Sequence, residues 1–140
     1  MSVYWQDPEM TAATLKDGCV RSGDLGQMDA DGFFTIVGRL KDMTISGGEN
    51  VFAGEVENAL MSHPALDAAA VVGVPDARWG ETVHAAVVLK PGYKVTCEEL
   101  IAHCRQYIAG YKCPRSFDIR TTPLPLSGVG KVKKVDLRQS

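Results

Sequence analysis

No stretch of this 140-residue sequence is apolar for long enough to cross a bilayer: the longest apolar run, Ala68 to Val74, is short and broken by Gly73. The opening residues Met1 to Pro8 lack the basic and apolar regions of a secretory signal, so a cytoplasmic location is expected. Charge of one sign is also scarce. Fifteen Lys and Arg face 17 Asp and Glu, for a net charge of −2 and a pI of about 5.9. That balance argues against a nucleic-acid binder, which carries a basic excess on one face. It leaves room for a small anionic ligand, which needs only a few placed cations. The cysteines Cys19, Cys97, Cys104 and Cys113 form no CxxC pair. His63, His84 and His103 are scattered, with no second ligand at metal spacing. Reduced thiols and no bound metal are therefore expected.

What is present suits one globular domain with an appendage. Hydrophobic residues make up 45% and charged residues 23%. A chain of this length buries roughly 70% of its unfolded surface. Asp7-Pro8-Glu9 is a helix start, with a capping side chain and then proline at the first turn. Lys16-Asp17-Gly18 is a stop. Residues 21–26 read as a glycine-punctuated loop and Asp29-Ala30-Asp31-Gly32 as a hairpin turn before a strand at 33–37. Residues 38–42 form a polar break, 43–45 a short strand and 46–50 another loop. Val56, Ala59 and Leu60 recur at helical spacing within 53–62, and Pro64 ends that helix. Buried strands are expected at 68–74, stopped by Pro75, and at 82–89. Thr96 and Glu99 have the form of a capping box, opening a helix that runs to about Ile108. A last strand at 117–120 and a helical turn at 134–138 complete an α+β pattern. The expected fold is a small β-hairpin plus a mainly three-stranded sheet covered by helices.

Four segments could carry chemistry. Asp24, in Ser22-Gly23-Asp24, has two oxygens that match a ribose diol, although alone the tripeptide reads as a turn bonding its own backbone. Arg39 follows a strand and can reach a phosphate or ribose oxygen, while residues 39–42 around Lys41 have the makings of a hinge. Gly47 and Gly48 let backbone approach a ligand closely, or simply form a tight turn. Gly128-Val129-Gly130-Lys131 ends like a phosphate-binding loop, but a Walker loop needs glycine where Pro125 stands and Ser or Thr where Val132 stands. What remains is Lys131 on a flexible glycine loop. Trp79-Gly80-Glu81 reads as a packed turn.

Taken in order, these segments resemble the C-terminal domain of the adenylate-forming, AMP-binding superfamily, of the acyl-CoA synthetase type. The likeness extends over nearly the whole chain. Tyr4 to Glu9 with Thr11 and Asp17-Gly18 is similar to the end of the family's large N-terminal domain. Arg21 to Gly26 is similar to its ribose-binding loop, with Ser22 in place of the usual Thr. Gly38 to Asn50 is similar to its hinge and glycine motif. Tyr111-Lys112-Cys113-Pro114 and the stretch from Leu124 to Val132 complete the set. The resemblance implies a division into 1–38, the tail of the large domain with a hairpin; 39–42, the hinge; and 43–140, the lid. It implies that Asp24 and Arg39 bind nucleotide, that Lys41 is the hinge residue and that Gly47 and Gly48 line the tunnel for the thiol arm of CoA. Lys131 takes the catalytic place in adenylation, where acetylation would remove its charge. ATP and CoA are the implied substrates, with Mg2+ held mainly by the large domain, which is the implied partner. A fragment without that domain is expected to be inactive. The alternative is a docking module without catalysis, associating with itself or a partner through the face that the large domain would cover.

Overall fold

The computed structural model describes residues 4–138, and the chain divides into two compact units, the first ending at Lys41 and the second beginning at Asp42. In the first unit, helix α1 (Pro8–Thr14) is capped by Asp7, whose carboxylate accepts from the Met10 N–H at 2.8 Å. Strands β1 (Leu15–Lys16) and β2 (Cys19–Val20) close around Asp17-Gly18. Both turn residues have positive φ, the geometry that matches the twist of a two-residue hairpin. A second hairpin pairs β3 (Asp24–Met28) with β4 (Phe34–Arg39). Its turn is held by Asp29, whose side chain accepts from the N–H groups of Asp31 and Phe33. No described residue of this unit is fully buried. So short a piece has too little volume to enclose a core.

A 3-10 turn, Leu40–Asp42, leads into the second unit. There β5 (Met43–Ser46) and β6 (Glu49–Phe52) form a hairpin around Gly47-Gly48. Helix α2 (Ala53–Met61) follows, then the long antiparallel pair β7 (Leu66–Asp76) and β8 (Gly80–Leu89). Helix α3 (Cys97–Cys104) carries the chain back to β9 (Ser116–Arg120), which runs parallel to β8 from His84 to Val88. A parallel neighbour requires such a crossover. The Thr96–Glu99 capping box forms in both directions, at 3.2 and 2.7 Å. A short helix α4 (Lys134–Leu137) ends the described chain.

The sheet has five strands, ordered β6-β5-β8-β7 with β9 also on β8. The three long strands match the expected sheet; the additional hairpin arises because Glu49–Phe52, of which Glu49 and Asn50 read as loop and the next two residues fall in no expected element, pairs with β5. Alternation is weak in four residues, so only the pairing reveals that strand. Likewise Asp24 begins a strand rather than sitting in a loop, β7 continues through Pro75 to Asp76, and α3 stops at Cys104. Pro75 lies in an edge strand, where its missing N–H breaks no ladder bond.

Strand β8 is buried on both faces, which explains its nearly continuous apolar sequence. One face, built by Val71, Val83, Ala85 and Val87, packs on Val56 and Leu60 of α2 and Leu100 and Cys104 of α3. The opposite face, built by Ala70, Val72, Ala86 and Val88, packs on Leu124 and on Leu137 of α4. Tyr111-Lys112-Cys113-Pro114 serves this packing. Cys113 and Pro114 are buried, and Lys112 meets both oxygens of Glu55 on α2 at 2.7 and 2.8 Å. That hydrogen bond holds the Lys112 ammonium above its usual pKa against the opposing effect of burial.

Candidate functional site

The first unit brings together two of the residues singled out from sequence. Asp24 and Arg39 are register partners across β3 and β4, and the Arg39 Nε lies 2.9 Å from the Asp24 carboxylate. Ser22 Oγ accepts from the Asp24 N–H at 3.1 Å, and the Leu40 N–H bonds to Gly23 O at 2.8 Å. The Asp24 side chain remains 26% exposed and that of Arg39 52% exposed. A ribose diol can therefore reach the carboxylate while the guanidinium fixes its orientation. Lys41 follows in the 3-10 turn, at the last position of the unit.

In the second unit Gly47 and Gly48 are the two turn residues of the β5–β6 hairpin, with φ of 61° and 86°. The Gly47 N–H bonds to the Trp79 carbonyl at 3.0 Å, and Ser46 pairs with Gly80. The turn thus lies against the start of β8. A methyl group on Gly47 would sit 2.7 Å from a Trp79 ring carbon, whereas Gly48 faces open space. The Trp79 ring in turn meets two cations, Arg115 at 4.6 Å and Arg78 at 4.8 Å from its centre. Asp76 accepts from the backbone N–H groups of Arg78 and Trp79, which pulls its carboxyl below the ordinary range and fixes the turn. Trp79 thus sits in a packed turn, as its sequence suggests, and its ring lies against Gly47 with two guanidiniums around it. The sequence signal was only a Trp-Gly step; its relation to Gly47 depends on the β5–β8 pairing.

Lys131 lies far along the chain, after β9. Its loop is more ordered than a free glycine swing arm. The Ser127 N–H bonds to the Lys131 carbonyl at 2.7 Å, the Gly130 N–H to the Ser127 carbonyl at 2.8 Å, and the Lys133 N–H to the Pro125 carbonyl at 2.8 Å. Leu126 and Val132 pair as an antiparallel bridge, and Ser127 Oγ accepts from the Lys131 N–H. Gly130 supplies the positive φ of 77° that this closure requires. The Lys131 side chain is exposed and makes no ion pair among the described residues.

Two of the histidines that look scattered in sequence meet in the fold. His63 follows α2 and His103 lies in the last turn of α3, with ring centres 4.9 Å apart and Tyr107 next to His103. Ser62 Oγ lies 2.7 Å from the Ala59 carbonyl and 2.8 Å from His103 Nε2, within hydrogen-bonding reach of both. An open cleft of about 280 Å³, lined by residues such as Glu55, Asn58 and Tyr107, adjoins them. Burial first, then the neighbouring His103, holds His63 below the usual histidine pKa, with Glu99 opposing. His84 is also held low, by burial and then by Arg120, while its Nδ1 meets Ser116 Oγ at 2.8 Å. Among the described residues no group of three or more His, Cys, Asp or Glu is arranged to hold a metal. No described helix is long and apolar enough to cross a membrane.

Comparison with known proteins gives a consistent result. Residues 55–131, more than half of the chain, match the family described as AMP-binding enzyme C-terminal domain. A feruloyl-CoA synthase from an Amycolatopsis species is 49% identical over 139 residues, which is 99% of this chain and 28% of that protein. A long-chain-fatty-acid–CoA ligase from Bacillus subtilis is 49% identical over 132 residues, 94% of this chain and 23% of that protein. Among solved structures, an o-succinylbenzoate CoA synthetase from Bacillus subtilis, in complex with its acyl-adenylate intermediate, superposes with a TM-score of 0.92 at 36% identity. The match covers 100% of this chain and 28% of that one. The chain thus spans about a quarter of the length of the relatives it matches.

Proposed function

The chain belongs to the AMP-binding enzyme C-terminal domain family, of the acyl-CoA synthetase type, and on that premise we propose that it is the lid of an acid–CoA ligase. The reaction runs in two halves. A carboxylate oxygen attacks the α-phosphorus of Mg-ATP and pyrophosphate leaves. The thiol of CoA then attacks the acyl carbon, loses its proton and expels AMP. ATP and CoA are substrates shared with a large domain, which holds the acyl pocket and most of the contacts to ATP and Mg2+. The 140-residue chain alone does not turn over ATP.

In the first half, the Lys131 ammonium neutralises charge growing on the carboxylate, the α-phosphate and the bridging oxygen. Removing one such preorganised charge lowers rates by about 10²–10³-fold. Asp24 accepts from the ribose hydroxyls, and Arg39 orients it. In the second half, the thiol arm of CoA passes over Gly47 and Gly48, where backbone can come close and Trp79 supplies an apolar wall. Lys41 is the hinge, with residues 39–42 joining the tail of the large domain to the lid. The observation that carries this reading is the separation of two features within the second unit. The glycine turn meets the first residue of β8. Flanking residues of the Lys131 loop, Leu124 and Val132, pack on the sheet face shared by Ala70, Val72, Ala86 and Val88. Rotation about the hinge then presents one feature or the other to a fixed adenylate. Such alternation needs two states of similar free energy.

The direct test is complementation: the chain is supplied to the large domain of a CoA synthetase, and pyrophosphate, AMP and thioester formation are followed. Wild type restores adenylation, and Lys131→Ala reduces it by about 10²–10³-fold. Equal activity of the two would remove Lys131 from its role. Steady pyrophosphate release by the chain alone would overturn the lid reading. A docking-module reading has its own support in Val129, 80% exposed, and Val135, 66% exposed, near Lys131. Binding to the large domain or self-association, with no restored chemistry, would favour it.

A further inference from the structure

We propose that Glu57 and Lys134 form a clip that holds the Lys131 loop in register, making both of them positioning residues for adenylation. The inference rests on the assignment of Lys131 given above, and deepens it. Strand β7 is at an edge of the sheet, so some of its N–H groups have no strand neighbour. Glu57 reaches from α2 to that edge. One carboxylate oxygen accepts from the Val71 N–H at 2.9 Å and from Lys134 Nζ at 2.7 Å. Helix α2 packs on one face of the sheet and α4 on the other. The shared oxygen therefore joins the two layers around the open edge.

The location of Lys134 gives the clip its consequence. Only Val132 and Lys133 separate it from Lys131. Val132 bridges to Leu126, and Lys133 bonds to Pro125, so these two residues form one root of the loop. Helix α4 has four residues, too few to persist without tertiary support. Two of its anchors are Leu137, 2% exposed, and the Lys134–Glu57 pair, whose side chains are 22% and 25% exposed. At that burial an ion pair sharing a backbone hydrogen bond exceeds an ordinary surface pair in strength. Leu137 fixes the far end of α4, while the clip fixes the end next to Lys131. Loss of the clip leaves the sheet intact and lets the loop root shift. Displacement of a reacting charge by about 1 Å costs up to roughly 10²-fold in rate.

Glu57→Gln is the informative variant. It keeps an oxygen for the Val71 N–H and the shape of the side chain, but removes the ion pair. The first readout is amide hydrogen exchange on the 140-residue chain. Exchange at Gly130 and Lys131 rises by about tenfold or more in Glu57→Gln and Lys134→Ala. Val71 and the β8 amides keep their protection, and Lys134→Arg, which retains the cation, keeps the loop protected. The second readout is the complementation assay. Glu57→Gln lowers adenylation by roughly 10–100-fold and leaves thioester formation from supplied acyl-adenylate unchanged. A merely structural defect would depress both halves together. Unchanged loop exchange, or equal loss in both halves, overturns the clip. If Lys131→Ala retains full adenylation, the parent assignment fails and the clip's role fails with it. If Lys131→Ala abolishes adenylation while Glu57→Gln does not, only the clip is lost.

Discussion

Gly47→Ala tests the contact on which the glycine site depends. Two effects add at this position. The backbone has φ of 61°, and placing a Cβ there costs about 1 kcal/mol. The new methyl also meets Trp79, at 2.7 Å from one ring carbon and 3.1 Å from the next. The indole has little freedom to retreat: Arg115 and Arg78 lie against it, and the Trp79 backbone carbonyl accepts from the Gly47 N–H. Overpacking of this type costs about 1–3 kcal/mol. The expected total for Gly47→Ala is therefore about 2–4 kcal/mol. Gly48→Ala is the internal control. Its φ is 86° and nothing lies within 4 Å of the added methyl, so only the backbone cost of about 1 kcal/mol applies. Urea denaturation of the two variants gives the difference directly, and each kcal/mol lowers Tm by about 4 °C in a unit of this size. Trp79→Ala completes a double-mutant cycle. The Gly47→Ala, Trp79→Ala protein should cost about 1–3 kcal/mol less than the sum of the single changes, because the collision is gone. Equal destabilisation by the two glycine variants, or an additive cycle, would refute the claim that Trp79 closes over Gly47.

Other expectations follow from the same geometry. Asp24→Asn breaks a partly exposed ion pair and costs at most about 1 kcal/mol of stability, yet in complementation it weakens ATP use; unaltered ATP dependence would detach Asp24 from the ribose. His63 and His84 both have folded pKa values below 6.5. The unfolded chain then binds more protons below that pH, so stability is complete above about 6.5 and falls with acidification. Replacing both by Gln should flatten that slope in urea titrations run from neutral pH downward. Burial pushes the Cys104 thiol up to about 11, whereas Cys19 is exposed. A thiolate-selective reagent at pH 8 should label Cys19 in the native chain and Cys104 only on unfolding; between pH 9 and 11 stability should fall, because the unfolded thiol ionises first. Rapid native labelling of Cys104 would contradict its position in the core.

Much of this protein was determined locally. Asp7-Pro8, Asp17-Gly18, Asp29 to Gly32 and the Thr96–Glu99 box each satisfy their own backbone within a few residues, so their sequences suffice to predict them. The apolar spacing of Val56, Ala59 and Leu60 and the apolar runs in β7 and β8 marked the helix and the long strands through side-chain periodicity and burial. The order of Asp24, Arg39, Gly47, Gly48 and Lys131 was also legible, since the family likeness rests on short motifs and their order along the chain. Only tertiary structure decided what those residues touch. The β6 strand exists because β5 is beside it. Trp79 reaches Gly47 through a pairing across 32 residues of sequence, His63 meets His103 across 40, and Glu57 meets Lys134 across 77. Long-range contacts of this kind form when a sheet and its covering layers assemble, and no local pattern encodes them. Sequence therefore marked the family and its candidate residues, and the packed sheet decided which side chains lie against them.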